Sequence, residues 1–405
     1  MKNFWLDNHT FFLKNNFKEI EKLIQNYSSP AYIYSKEVIR SQYISLKEFF
    51  PSNVKIFYAQ KSNPSPEILK FISSLGGGCD TASEGEINNA INAGFKSDNI
   101  MMTGPAKTHS EIECAVNNNL LSINAESLQE ILLINKIASS IGKKQNILIR
   151  INPRFEAGEG NRIIGGMGVS KFGIDIDQIP EVFKKAKTLE NISIKGIHIF
   201  NSSQILDTER IIENTKNVLD TAINLSKEYK IEFEYIDAGG GFGIPYSQDE
   251  KKLNIEKLGN SLNDLFNTSE YKNFINSTNL IFEPGRFISG ECGIYIFKVL
   301  YTKTSGGKNI ALTDGGVHHL LRPVLIGQIH PILNLTALSQ KREKKEKYIV
   351  AGPLCTSLDE FDDSAELNEV IQGDILAVLN AGAYGYTESM PLFLSHKPAK
   401  EIFIN

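Results

Sequence analysis

Eight short apolar runs, separated by longer amphipathic stretches, constrain the fold of this chain more than any other feature. They are Val54–Tyr58, Gly78–Thr81, Asn99–Thr103, Leu121–Asn124, Ile147–Ile151, Ile194–Phe200, Tyr235–Asp237 and Leu280–Glu283. Several are β-branched and end in Gly, Asn, Asp or Lys, the pattern of buried strands. Between them Ser127–Ile141, Thr208–Glu228 and Asn254–Phe266 have helical patterning. Eight strand–helix units over about 250 residues match a TIM-like (β/α)8 barrel. A doubly wound open sheet uses the same alternation, so the count alone does not separate the two.

After Arg286 the texture changes. Cys292–Thr302, Asn309–Thr313, Tyr348–Ala351 and Asp374–Asn380 are β-rich, with no long helix between them. The expectation is an α/β chain of two parts: a barrel over residues 30–286, and a mostly β domain, barrel or sandwich, formed by 287–405 with 1–29. Residues 1–30 could pack on either part. A length of 405 residues suits two or three domains.

Composition narrows the function classes. A formal net charge of −4 argues against a nucleic-acid binder, which usually carries a basic face. Cys79, Cys114, Cys292 and Cys355 lie far apart, so neither a disulfide framework nor a structural zinc site is expected, and a reducing cytoplasm fits. Met1–Asp7 has no basic start leading into an apolar run, so no secretory signal is expected. No apolar stretch of about 18 residues occurs, so no membrane span is expected. His318-His319 lacks a third ligand, and no metal site is expected. Lys341–Lys347 reads as a charged, solvated loop.

Three segments could carry chemistry. In Phe57-Tyr58-Ala59-Gln60-Lys61-Ser62-Asn63-Pro64 an apolar strand runs into a lysine and breaks at a proline. Strand C-termini form the active-site face of a barrel. Apolar walls there would lower the lysine pKa and free its amine to condense with a carbonyl. Taken alone, such a lysine is ordinarily a surface residue. Asp237-Ala238-Gly239-Gly240-Gly241-Phe242-Gly243 follows a later strand; it is either a flexible turn or a nest of backbone amides for an anion. Phe282-Glu283-Pro284-Gly285-Arg286 sets a carboxylate near a guanidinium, as a local ion pair or as ligands for a ring nitrogen and a phosphate or carboxylate. Cys355 by itself is a small hydrophobe, and Tyr384 a core aromatic or a hydrogen-bond donor.

In this order, these pieces resemble the fold-type III pyridoxal-phosphate decarboxylases, the group of ornithine and diaminopimelate decarboxylases. The resemblance runs from about Pro30 to the C-terminus. It rests on the Lys61 strand, Gly78-Cys79-Asp80-Thr81-Ala82-Ser83-Glu84-Gly85-Glu86, the triple glycine, Glu283–Arg286, Cys355 and Tyr384. It implies pyridoxal 5′-phosphate anchored on Lys61, with Gly239, Gly240, Gly241 and Tyr384 on the phosphate and Glu283 on the pyridine nitrogen. Asp80, His198, Phe200, Ser203, Gly285 and Arg286 complete the implied cofactor site. Cys355 is the implied proton donor. The family shares its sites across a head-to-tail homodimer, so Cys355 would reach the partner's Lys61.

Departures from the family pattern bear on the substrate. In Gly196-Ile197-His198-Ile199-Phe200-Asn201-Ser202-Ser203-Gln204, Phe200 stands where the family has a ring-stacking histidine. Thr356 follows Cys355 where free-amino-acid decarboxylases carry an acid for the distal amine. A neutral hydroxyl cannot compensate an ammonium, unless Asp359 or Glu360 takes over. Arg322 resembles the arginine that diaminopimelate decarboxylases use for a distal carboxylate, but Ile326 replaces an accompanying tyrosine. Gly352–Thr356 and Phe393-Leu394-Ser395-His396 are closer to a subgroup acting on acylated or tethered amino acids, such as glutamyl groups on an acyl carrier protein or citryl-amino acid siderophore intermediates. Arg286, Arg322, Thr356 and Tyr384 are the expected substrate residues. Lys341, Arg342, Lys344, Lys345 and Lys347 are the expected contacts for a carrier. The alternatives are diaminopimelate decarboxylase in lysine biosynthesis, an amino-acid racemase, and a non-catalytic cofactor-binding homologue.

Overall fold

A computed structural model describes residues 11–154 and 170–405. Met1–Asp7, expected to lack a signal, lies outside the described residues. The described chain divides into two compact units. One comprises Gln42–Gly243 and Lys252–Gly285; the other holds the described residues before Gln42, Ile244–Lys251 and Arg286–Asn405.

The first unit is a closed barrel. Its strands are Val54–Ala59, Gly78–Thr81, Ile100–Met102, Ser122–Ala125, Gln145–Asn152, Ile192–His198, Tyr235–Asp237 and Asn279–Phe282, one for each apolar run. Each pairs in parallel with the next, and the eighth pairs with the first, Leu280 opposite Val54 and Phe282 opposite Ile56. Closure removes the ambiguity between barrel and open sheet. Phe57, Met101, Leu148 and Ile281 pack as one buried cluster. Polar residues start the intervening helices. Thr108 and Glu111 form a reciprocal capping box, and Ser127 accepts from the Glu130 amide.

Two buried ion pairs bind neighbouring barrel units together. Lys107 Nζ donates to Glu130 at 2.6 Å and to the carbonyls of Gly104 and Asn124. Arg150 donates to Glu126 at 2.7 Å, and Glu126 also accepts from the amides of Gly104 and Gly173.

The second unit is built on an eight-stranded mixed sheet. Gly293–Ser305 is its long strand, pairing antiparallel with Lys308–Thr313, Ile375–Val378 and Ala31–Ser35. Two differences from the sequence expectation appear here. The strand Ala31–Ser35 joins this sheet, although residues from 30 onward were assigned to the barrel. Tyr27 also donates to Asp314, so the preceding segment sits with the same unit. The stretch Lys341–Lys347 is not wholly a loop, because the strand Lys345–Ala351 begins inside it and pairs with Glu360–Asn368. The strand opens on Lys345-Glu346-Lys347, with both lysines exposed, so its start reads as part of the charge run.

Removing one member of a buried ion pair strands the other charge, at a cost of about 3–5 kcal/mol. Lys107→Met should therefore lower the free energy of unfolding by about that amount in urea titration. Adding Glu130→Leu should recover part of the loss.

Candidate functional site

The strand ends of the barrel unit gather polar side chains that would otherwise have no place in a core. Lys61 follows the first strand, and its Nζ lies 3.3 Å from Asp80 Oδ2 on the second. Lys61 is partly exposed, whereas Asp80 is buried. Glu86, one helical turn beyond, accepts from the Ala82 amide at 2.8 Å. Burial pushes its carboxyl up to about 7, against the pull of the Lys61 ammonium.

A second cluster lies at the ends of the fourth, sixth, seventh and eighth strands. Asn124 Nδ2 is 3.2 Å from His198 Nδ1 and 3.4 Å from Asp237 Oδ2. His198 Nε2 is 4.0 Å from Glu283 Oε2. His198, Asp237 and Glu283 are all buried, and their ligand atoms lie within 4.8 Å of one another. Burial pushes Asp237 up to about 7, helped by the Asp80 carboxylate and opposed by the Gly239 amide it accepts from. Burial also drives Glu283 well above the carboxylate range, and Asp237 and Asp80 push the same way. His198 is held neutral by burial and by the nearby Arg150, Lys61 and Lys107 cations. Each carboxyl opposes ionisation of the other beside the uncharged imidazole, so a cation entering the cluster would favour the ionised form.

Among the described residues, Glu283 Oε1 and His198 Nε2 are buried without a hydrogen-bond partner. An orphaned buried acceptor calls for a donor from outside the chain. A protonated ring nitrogen supplies one N–H and one positive charge, and so answers both needs of this cluster.

The glycine loop lies alongside. A Cβ at Gly239 would stand 2.5 Å from the Phe200 ring, and one at Gly240 would stand 2.3 Å from the Glu283 carbonyl. The loop is glycine because the chain passes this close to the sixth-strand segment and to Glu283. Ile205 donates to the Gly241 carbonyl and Gly243 to the Ile205 carbonyl, which fixes the loop against residues 200–205. Phe200 thus packs directly on the Gly239 backbone. Ser203 follows in the same segment, partly buried. Gly285 stands after Glu283, where a Cβ would meet the Ser62 side chain at 2.9 Å.

The β unit carries a separate positively charged cluster. The Tyr384 ring lies between two guanidiniums, 4.9 Å from Arg286 and 4.6 Å from Arg322. Both arginines are buried. Arg286 donates to Tyr246 at 2.8 Å, and Arg322 donates to Glu388 at 2.6 Å. Two buried cations against one carboxylate leave positive charge for an anion. Cys355 is exposed in the loop after the strand Lys345–Ala351. Thr356 Oγ1 accepts from the Leu358 amide at 3.2 Å, so part of its hydrogen-bonding capacity stays within the loop.

Two expectations change. Asp359 does not stand free to replace an acid at position 356, because both its oxygens take backbone amides, of Val317 and Leu354, at 2.7 Å. The basic stretch is not an uncompensated patch. Arg342 pairs with Asp374, Lys344 with Glu346 and Glu369, and Lys345 with Glu366. The His318 and His319 rings lie 3.8 Å apart at a tilt of 44°, and His319 is bonded to Tyr295 and the Lys397 carbonyl. Asn124 and Asp237 were not assigned roles from sequence. Their one signal is a polar residue at or next to the end of an apolar strand.

The raised Asp237 acid has a signed consequence. Its proton is held more tightly folded than unfolded, so the stability it contributes is full below about pH 4 and is lost as pH rises through about 7. Across that window, in the ligand-free protein, the free energy of unfolding of wild type should fall relative to that of Asp237→Asn. Urea titrations at several pH values measure this.

Comparison with known proteins agrees with this chemistry. Residues 36–290 match the family model of the pyridoxal-dependent decarboxylase, pyridoxal binding domain. A diaminopimelate decarboxylase of Aquifex aeolicus is 35% identical over 91% of this chain and 85% of its own. An L-glutamyl-[BtrI acyl-carrier protein] decarboxylase of Niallia circulans is 33% identical over 95% of this chain and 90% of its own. The crystal structure of Helicobacter pylori diaminopimelate decarboxylase complexed with L-lysine superposes with a TM-score of 0.86 at 33% identity, covering 95% of this chain and 94% of that one. Among the described residues no helix is long and apolar enough to cross a membrane. The chain belongs to the pyridoxal-dependent amino-acid decarboxylases, carboxy-lyases that use pyridoxal phosphate.

Proposed function

We propose that this enzyme decarboxylates an α-amino acid without a free distal amine, one whose far end is acylated or tethered. The observation that carries this reading is the loop Gly352–Glu360. Thr356 follows Cys355, and the buried acid of the loop, Asp359, is occupied by backbone amides. Glu360 is exposed at the start of its strand. A distal ammonium would find no free buried carboxylate in this loop, and leaving such a charge unpaired in a closed site costs several kcal/mol. The relative from Niallia circulans, named for a glutamyl group on a carrier protein, supports a substrate of this type.

Lys61 is the anchor for the cofactor carbonyl. Asp80, 3.3 Å away, holds its ammonium until a proton must leave. Glu283, beside Asp237 and His198, would hold the pyridine nitrogen through its orphaned oxygen. Gly239, Gly240, Gly241 and Ser203 would hold the phosphate, and Phe200 would pack on the ring. In the β unit, Arg286, Tyr384 and Arg322 offer positive charge to a phosphate or a substrate carboxylate. Cys355 returns a proton to the α-carbon. Bound there, pyridoxal phosphate supplies the electron sink that permits loss of carbon dioxide.

A second reading, diaminopimelate decarboxylase, is favoured by Arg322 and by the relatives of that name. The Glu388 carboxylate already bound to Arg322 weakens the pull of this arginine on a distal carboxylate. For a carrier partner, Arg342, Lys344 and Lys345 are already paired within the chain, which weakens their pull on an acidic surface.

Lys61→Ala should abolish the cofactor absorbance near the visible edge, and Glu283→Gln should reduce turnover by at least about tenfold, the price of one misplaced charge in the electron sink; an unchanged spectrum in Lys61→Ala would sink the cofactor assignment. Substrate class is read by following carbon dioxide release from free meso-diaminopimelate, N-acylated amino acids and carrier-linked glutamate. Turnover is expected with the acylated or carrier-linked compounds. Thr356→Glu should raise activity toward free diamino acids at the expense of those substrates, and efficient wild-type turnover of free meso-diaminopimelate would establish the second reading instead.

A further inference from the structure

The loop bearing Cys355 and Thr356 joins the strands Lys345–Ala351 and Glu360–Asn368, yet its tip is exposed and carries no apolar anchor. Cys355, Ser357 and Leu358 are all exposed. Two side chains of the loop are buried, Leu354 and Asp359, and its polar ties run through Asp359. Asp359 is 3% exposed. Its Oδ2 accepts from the Leu354 amide and its Oδ1 from the Val317 amide, each at 2.7 Å. Its own carbonyl accepts from the Gly352 amide at 2.9 Å, and its amide donates to the Thr356 carbonyl at 3.2 Å. The carboxylate therefore ties the residue before Cys355 to a separate turn of the same unit.

The seat around this carboxylate is tight. A Cβ at Gly316 would stand 2.4 Å from Oδ1, and one at Gly352 would stand 2.4 Å from Oδ2. Only glycine lets both backbones close on the acid. The far turn is itself held. His319 donates or accepts at Tyr295 Oη, 2.8 Å away, and at the Lys397 carbonyl, also 2.8 Å away. His318 packs between His319 and His396, with ring centroids 3.8 and 4.9 Å away. Asp359, the Gly316–His319 turn and the segment around His396 thus form one connected support beneath the Cys355 tip.

We propose that Asp359 is a positioning residue: by clamping the amides of Leu354 and Val317, its carboxylate sets where the Cys355 thiol and the Thr356 hydroxyl stand. The proposal rests on the reading that these two groups act on the substrate. It assigns Asp359 no contact with that substrate. Two charge-assisted bonds to backbone amides are stronger than neutral ones. An amide side chain cannot replace them, because its NH2 would face one of the two N–H donors. A displacement of about 1 Å at a reacting group is enough to cost on the order of a hundredfold in rate.

The test uses the holoenzyme and three readouts. In wild type, hydrogen exchange should show the Leu354 and Val317 amides protected, unlike the neighbouring exposed amides of the loop. In Asp359→Asn, cofactor absorbance should persist while kcat falls about tenfold to a hundredfold with a smaller change in KM. Proton return in deuterated water should also lose stereochemical fidelity, which mere destabilisation would not cause. The alkylation rate of Cys355 by iodoacetamide should change in both Asp359→Asn and Gly352→Ala, with no substrate present. Rapid exchange of the two amides in wild type would overturn the clamp even if neither variant folds. Wild-type kcat and alkylation rate in folded Asp359→Asn would overturn the positioning role. Failure of the substrate reading shows separately, as turnover of free diamino acids with the amide protection intact.

Discussion

Closure of the barrel is the constraint on which the rest of the site depends. When Leu280–Phe282 pairs with Val54–Ile56, the last strand is laid beside the first. Gly285 then sits against Ser62, and the residues that follow the two strands, Glu283 and Lys61, become neighbours through space rather than sequence. Parallel pairing also points the C-terminal ends of the strands one way. Aspartate, asparagine, histidine and glutamate at those ends are thereby collected in one buried place, where each alone would be costly to bury, with Lys61 at its open side.

Burial then sets the chemistry of that place. Asp80, Asp237 and Glu283 are close enough that their charges oppose one another, and desolvation works in the same direction. Ionisation is opposed within the cluster, and one Glu283 oxygen is left unsatisfied. Such a site has little use for another anion and a strong preference for a cationic N–H. The lysine side of the site has the opposite character, with an ammonium partly open to solvent beside one carboxylate. A buried acidic cluster with an unsatisfied acceptor and a partly exposed amine are what a reaction through a ring nitrogen and an amine requires.

The β unit uses its charges differently. Arg286 and Arg322 flank Tyr384 and keep positive charge in a buried position. Asp359 is spent wholly on backbone amides, which removes it from the set of groups able to meet a substrate amine. The same bonds steady the loop that presents Cys355. Absence of a distal acid and rigidity of the loop therefore have one physical source.

Much of this was legible in the sequence, and the division has a physical basis. Strand identity, the lysine after the first strand, the glycine loop and the Glu283–Arg286 segment are local patterns, since side-chain alternation and turn chemistry act over a few residues. The sequence by itself thus determined the barrel strands, their order and the cofactor chemistry. Only the tertiary structure decided that the barrel closes, that Asp237 shares the environment of Glu283, that Ala31–Ser35 joins the β sheet, and that Lys344, Lys345 and Arg342 are already paired. It also decided that both Asp359 oxygens are taken by backbone amides. Each of these depends on which distant residue lies within about 3–4 Å, and electrostatic and hydrogen-bond energies fall off too steeply for a linear pattern to encode them.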